Sequence, residues 1–230
     1  MFKNKQESAL ALLEVLNEDE LKKGSFVLVC LSLSSVLICD IIAKKLELDY
    51  ELFFSADISA PNNSECDIAC VSETEEIVLN EALINSFDIS HDFVYGQAKR
   101  VYEEKILKQV YKYRKGNLLT FLKDKNVLLI DDGCENGSKI AVSAKSMRAI
   151  GVNNLYLACA VISDELEHYA MNIFDAVYSA RKTESFVTNN FYFEQQEYLS
   201  EAEILKILEE SPHYLPLQKP KDMIKEQNKE

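Results

Sequence analysis

Asp131 and Asp132 stand side by side at the end of an apolar run, Val127–Ile130, and open the turn "DDGCENGSK". Two adjacent carboxylates can accept hydrogen bonds from the vicinal hydroxyls of a sugar. Gly133 and Gly137 allow backbone angles that aim several N–H groups into one hollow, and such nests hold anions. The helix predicted to begin near Ser138 adds its positive end. Asn136 and Ser138 bring side-chain donors, and Lys139 brings a positive charge. A phosphate beside a diol describes a ribose 5-phosphate. A strand-end Asp before Gly is also an ordinary turn, and on these residues alone both readings stand.

For the acids to meet a ligand, the run before them must be a buried strand in a sheet whose carboxyl edge is open. "NVLLID" has the continuous apolar character of a central strand. "SFVLVCLSLSS" reads as a strand running into a small-residue turn, "SVLICDIIAKKLEL" as a helix packed on a sheet, and "YELFFSA" as the next strand, which makes a parallel strand–helix–strand unit. Residues 2–16 carry leucines at helical spacing. Residues 57–66, "DISAPNNSEC", read as a loop, with short strands at "DIACVS" and "EIVLN". Asp92 to Arg114 suits a helix with an irregular apolar face, capped near Gly116. Lys139 to Ile150 is a helix ended by Gly151, followed by the strand "NLYLACAVI", a short helix capped by Ser163 or Asp164, and the strand "FDAVYSA". Ser200 caps a last helix, "SEAEILKILEE". The alternation predicts a doubly wound α/β fold over residues 1–210, with ligands at the carboxyl ends of the strands. Residues 211–230 are expected to form a disordered tail.

Composition narrows the function classes. The chain has 230 residues, 47% hydrophobic, enough for one α/β domain with its own core. A net charge of −13 disfavours nucleic acid and anionic membranes but leaves room for a small anionic ligand held by a local nest. The acidic, amphipathic start does not read as a signal peptide, and no apolar run is long enough to span a bilayer, so a cytoplasmic protein is expected. Six scattered cysteines and three scattered histidines read as reduced thiols and give no metal cluster. Cys134 lies near a helix start, where a thiol can become acidic, but a small loop-filling role fits it better. The basic residues Lys108, Lys112, Arg114 and Lys115 read as a solvated helix face. Tyr111, Tyr113, Phe191, Tyr192 and Phe193 read as packing residues.

At the acidic turn the sequence resembles the type I phosphoribosyltransferases. Their signature is an apolar strand, two acids, Gly, two variable residues, Thr, Gly, a variable residue and Thr. Here the acids are Asp131 and Asp132, the glycines are Gly133 and Gly137, and the two Thr positions hold Asn136 and Lys139. Further segments in the expected order, "FKNKQESALALLEVL", "VLNE", "YKYRKG" and "FVTNNFYFEQQEYLSEAEIL", are similar to an uncharacterised bacterial subgroup with this domain, and the resemblance covers roughly residues 2 to 209. It implies a mainly parallel central sheet flanked by helices, with a small hood. It also implies a reaction at the anomeric carbon of phosphoribosyl pyrophosphate, with Mg²⁺ bridging the pyrophosphate and ribose hydroxyls. Asp131 and Asp132 would be the catalytic acids. Gly133, Cys134, Glu135, Asn136, Gly137, Ser138 and Lys139 would bind the 5′-phosphate. A homodimer is expected from the family.

The chain departs from that family in both anion loops. The subgroup's pyrophosphate loop reads Pro-Arg-Gly-Gly; here Ser32, Leu33, Ser34 and Ser35 stand in its place. Leu33 cannot give the charge-assisted hydrogen bonds of an arginine, and Ser34 and Ser35 keep only hydroxyl contacts. Glu135 adds a negative charge to the phosphate loop, with Lys139 as its counterweight. The expectation is therefore a phosphoribosyltransferase-like protein that binds a ribose 5-phosphate ligand, phosphoribosyl pyrophosphate first among them. Transfer to a nucleobase, with Mg²⁺, follows only if the chemistry survives. The alternative is a non-catalytic nucleotide-sensing or protein-interaction module.

Overall fold

The computed structural model describes residues 1–135, 137–195 and 198–218. Among them lie α1 (Lys5–Val15), α2 (Glu18–Lys23), β1 (Val27–Cys30), α3 (Val36–Leu46), β2 (Tyr50–Leu52), β3 (Ser55–Ala60), β4 (Asn63–Ser72), β5 (Ile77–Leu79), α4 (Glu81–Ser86), α5 (His91–Val101), α6 (Leu107–Arg114), β6 (Val127–Asp131), α7 (Gly137–Ile150), β7 (Leu155–Ser163), α8 (Asp164–Ala170), β8 (Ala176–Thr183) and α9 (Glu201–Glu210).

Five strands form a parallel sheet in the order β2-β1-β6-β7-β8. β6 is central and all five of its residues are buried, because both faces of the sheet are covered. Leu28, Cys30 and Ile130 face one core with α1 and α3, whereas Val29, Leu129 and Leu157 face a second with α7. The chain leaves β1 toward β2 and leaves β6 toward β7, so the strand order reverses between β1 and β6. That is the switch point where α/β sheets open a crevice at their carboxyl ends. The register Cys30↔Ile130 keeps the two strand ends level, so the turns after them, residues 31–35 and 132–135, face each other.

β3, β4 and β5 form a separate antiparallel sheet, the small hood. It corrects the expected loop at 57–66. Pro61 and Asn62 shape only the hairpin tip, where Asn62 takes the left-handed conformation (φ 62°), while the polar residues on either side pair as strands, the first residues of β4 exposed. The helix expected over 92–114 is interrupted by a π-helical turn at Tyr102–Ile106. The extra residue per turn shifts the phase of the buried side and accounts for the irregular face. Lys115 and Gly116, both at positive φ, end α6.

The tail expected from residue 211 is corrected for residues 211–218. The Tyr50 N–H donates to the His213 carbonyl at 2.8 Å, and Tyr214 bridges to Tyr50 as a further parallel pairing at the β2 edge. Its ring lies 5.3 Å from that of Tyr50, and its hydroxyl donates to the Tyr113 carbonyl at 3.1 Å. Residues 219–230 lie outside the described residues. No helix among the described residues is long and apolar enough to cross a membrane.

Candidate functional site

The switch point brings together the serine turn after β1 and the acidic turn after β6. Asp131 is still a strand residue, opposite Cys159 on β7, and its carboxylate turns into the crevice. One oxygen accepts from the Ser32 hydroxyl and the other from the Lys139 ammonium, each at 2.7 Å. Asp132, just beyond the strand, accepts from the ammonium of Lys5, the first residue of α1. The Lys5 ammonium also lies 3.9 Å from the centre of the Phe193 ring. The second oxygen of Asp132, Oδ1, is buried with no hydrogen-bond partner among the described residues. Two acids are thus balanced by two ammonium groups of the same chain.

Their surroundings push the acids apart. Burial raises the Asp131 carboxyl above the ordinary range, against the pull of Lys139. Burial opposes ionisation of Asp132 as well, but Lys5, together with Lys139 and Ser34, outweighs it and holds that carboxyl below the ordinary range. Lys139 loses water too, yet Asp131 outweighs the loss and keeps its ammonium charged.

The serine turn is tied to itself. Ser32 and Ser35 share a hydrogen bond of 2.7 Å, the Ser34 hydroxyl donates to Ser32 at 3.1 Å, and the Cys30 thiol lies 3.3 Å from the Ser35 hydroxyl. Its hydroxyls reach Asp131 through Ser32, which was not among the expected site residues. Ser34 is exposed and Ser35 is buried.

The acidic turn differs from an open nest. The Cys134 N–H donates to the Val161 carbonyl at 3.0 Å, which commits that amide to the sheet. Gly133 does not use the left-handed region; its requirement is space, because a Cβ there would collide with Asn189 Oδ1. Asn136 lies outside the described residues. Glu135 points outward and shares a hollow of about 570 Å³ with Gly137, Ser138, Glu81 and Glu165. Lys139 and Ser34 line a different cavity of about 390 Å³, under the hood. Asp132, Lys5 and Ser34 border a third, of about 160 Å³, with Asn189 and Phe193. The expected site residues therefore lie on two facing turns but open onto three hollows.

Other sequence-level candidates fall elsewhere. Arg114, expected on a solvated basic face, is fully buried and paired with Glu51 and Glu73. Lys112 pairs with Glu201. Tyr113, Tyr192 and Phe193 are buried packing residues, whereas Tyr111 and Phe191 are exposed. Lys5 is the partner that sequence reasoning missed. Its only signal was a lysine at the start of an amphipathic helix.

No family model matches the chain, and no curated protein does. Among solved structures it is similar to TT1426 from Thermus thermophilus, with a TM-score of 0.72 and 18% identity over 91% of this chain and 98% of that one. It is also similar to a purine phosphoribosyltransferase from Pyrococcus horikoshii, with a TM-score of 0.49 and 11% identity over 87% of this chain and 96% of that one.

The chain has the type I phosphoribosyltransferase fold.

Here the acidic turn after β6 and the turn after β1 flank the switch point. Among the described residues no three His, Cys, Asp or Glu side chains gather as ligands, and both acids of the pair already face an ammonium.

Proposed function

We propose that this chain is a non-catalytic protein of the phosphoribosyltransferase fold that binds a ribose 5-phosphate ligand, such as a nucleotide, at the switch point between β1 and β6. The observation that carries the reading is the pairing of Lys139 with Asp131, at the position where the family's signature has a hydroxyl residue. A transferase of this kind needs negative charge beside the anomeric carbon as its bond to pyrophosphate breaks. An aspartate already bonded to an ammonium and a hydroxyl offers little of it. Asp132 is held in the same way by Lys5. The serine turn has hydroxyls but no cation for a leaving pyrophosphate, whose charge calls for one. What remains suits recognition: a lysine at the cleft, hydroxyls on Ser32 and Ser34, and carboxylate oxygens for sugar hydroxyls.

Calorimetry separates this reading from a working transferase. Ribose 5-phosphate and a nucleoside monophosphate are expected to bind, and phosphoribosyl pyrophosphate with Mg²⁺ is expected to bind no tighter. Incubation with nucleobases is expected to release no pyrophosphate. Tighter binding of the pyrophosphate compound together with pyrophosphate release would make the chain an enzyme. Binding of none of the three would remove the ligand assignment.

A further inference from the structure

The cavity of about 390 Å³ under the hood has an unusual charge arrangement. It lies at the carboxyl ends of β1 and β2, beside Lys139, with Phe53 and Phe54 on its wall and the hydroxyls of Ser34 and Ser55 on its polar side. Its volume suits one small ligand. Among the described residues Lys139 is the only cation on that wall, and it is bonded to Asp131. The wall's one acid is Asp57, on β3 of the hood. Asp57 Oδ1 is buried with no hydrogen-bond partner among the described residues. Burial raises its carboxyl above the ordinary range, against a hydrogen bond from the Cys70 thiol on β4 that lowers it. Lys139 and, from the π-helical turn, Lys105 pull it back down through space. Asp67, on the neighbouring strand, opposes them, and it accepts a 3.0 Å hydrogen bond from Ser59.

We propose that this cavity is a donor-selecting subsite: Asp57 accepts hydrogen bonds from an amine or ammonium end of the ligand, and the cavity rejects a diphosphate. An acid on the wall repels phosphoryl oxygens, and a ligand ammonium would supply a charged partner for the oxygen that has none. The proposal rests on the reading of a ribose 5-phosphate ligand at the switch point and names its other end. Asp57 is then the residue that sets the ligand class, a phosphorylated sugar bearing an amine where a transferase substrate carries pyrophosphate.

The test is calorimetry with two stable probes, ribitol 5-phosphate and 1-amino-1-deoxyribitol 5-phosphate, together with inorganic pyrophosphate. Native protein is expected to bind the amine probe about tenfold or more tighter than ribitol 5-phosphate, the scale of one charge-assisted hydrogen bond. Pyrophosphate is expected not to compete. In Asp57→Asn, which keeps the size of the side chain, the amine preference is expected to vanish; Asp57→Ser checks the result with a smaller side chain. Equal binding of the two sugar probes, a preference that survives in both variants, or tight pyrophosphate binding to native protein would overturn the proposal while leaving the ligand reading intact. Failure of both sugar phosphates to bind would overturn the ligand reading and this subsite with it.

Discussion

Asp132 is a carboxylate almost without water, and Lys5 is what makes its charge tolerable there. Removing one partner of a buried pair leaves the other uncompensated, at a cost of about 3–5 kcal/mol. Lys5→Met is therefore expected to lower stability by roughly that amount in urea unfolding at pH 7, and Lys5→Met with Asp132→Asn to recover much of it. The pH dependence follows from the depressed carboxyl. Unfolded, the group titrates near 3.9, at about the usual aspartate value. Between its lower folded value and that point, the unfolded chain holds the extra proton, so stability rises with pH. The contribution is complete above about pH 4 and is lost as pH falls through the folded value. The gap between native protein and Lys5→Met should narrow in acid. A gap that stays constant with pH would mean that Lys5 acts through its packing on Phe193. At this scale the sequence displays the acids plainly, because a charged pair ending an apolar run stands out. It conceals their partners. Lys139 reads as a counterweight to Glu135 and is instead on Asp131, and Lys5 is 127 positions from Asp132.

Among the elements, the join between sheet and hood is the informative one. Arg114, at the end of α6, lies between Glu51 on β2 and Glu73 just after β4, and the side chains of all three are covered. Glu51 also accepts from the Thr120 hydroxyl at 2.6 Å and from the Leu52 N–H at 2.8 Å. Even so, burial outweighs these partners and pushes its carboxyl up to about 7. An unfolded glutamate titrates near 4.3. Between the two values the folded chain holds the proton that the unfolded chain has lost, so this group's stabilisation is complete below about pH 4.3 and fades as pH rises through about 7. Glu51→Gln should remove that slope. Unfolding free energies of native protein and variant across pH 5–8 are expected to diverge by about 2–4 kcal/mol, at about 1.4 kcal/mol for each pH unit that separates the folded and unfolded titrations. Parallel curves would place the titration elsewhere. Strands with unbroken apolar runs, such as β6 and β7, are legible because both faces of the sheet are covered. The hairpin of β3 and β4 is not, because its serines, aspartates and asparagines spell a turn while backbone pairing makes them strands. Arg114 likewise reads as a surface charge because its two glutamates come from other elements.

For the whole molecule, the extent of the folded unit is decided at the β2 edge. Composition after Glu210 reads as a tail: prolines, lysines and few apolar residues. Yet Tyr214 is fully buried, stacks on Tyr50, bonds to the Tyr113 carbonyl and closes the side of β2 that no other strand of the sheet covers. One buried aromatic with its hydrogen bond satisfied outweighs the composition of its neighbours. Losing such a ring costs about 3–5 kcal/mol. A chain ending at residue 210 is therefore expected to melt roughly 10 °C below one ending at 218, using the dependence of melting temperature on stability for a domain of this size. Tyr214→Ala in the longer chain should account for most of the difference. Because Tyr50 is paired with β1 and Glu51 follows it, the shorter chain should also lose part of the Glu51 pH slope. Equal melting of the two chains would restore the domain boundary at 210 and reduce the Tyr214 contact to a surface association.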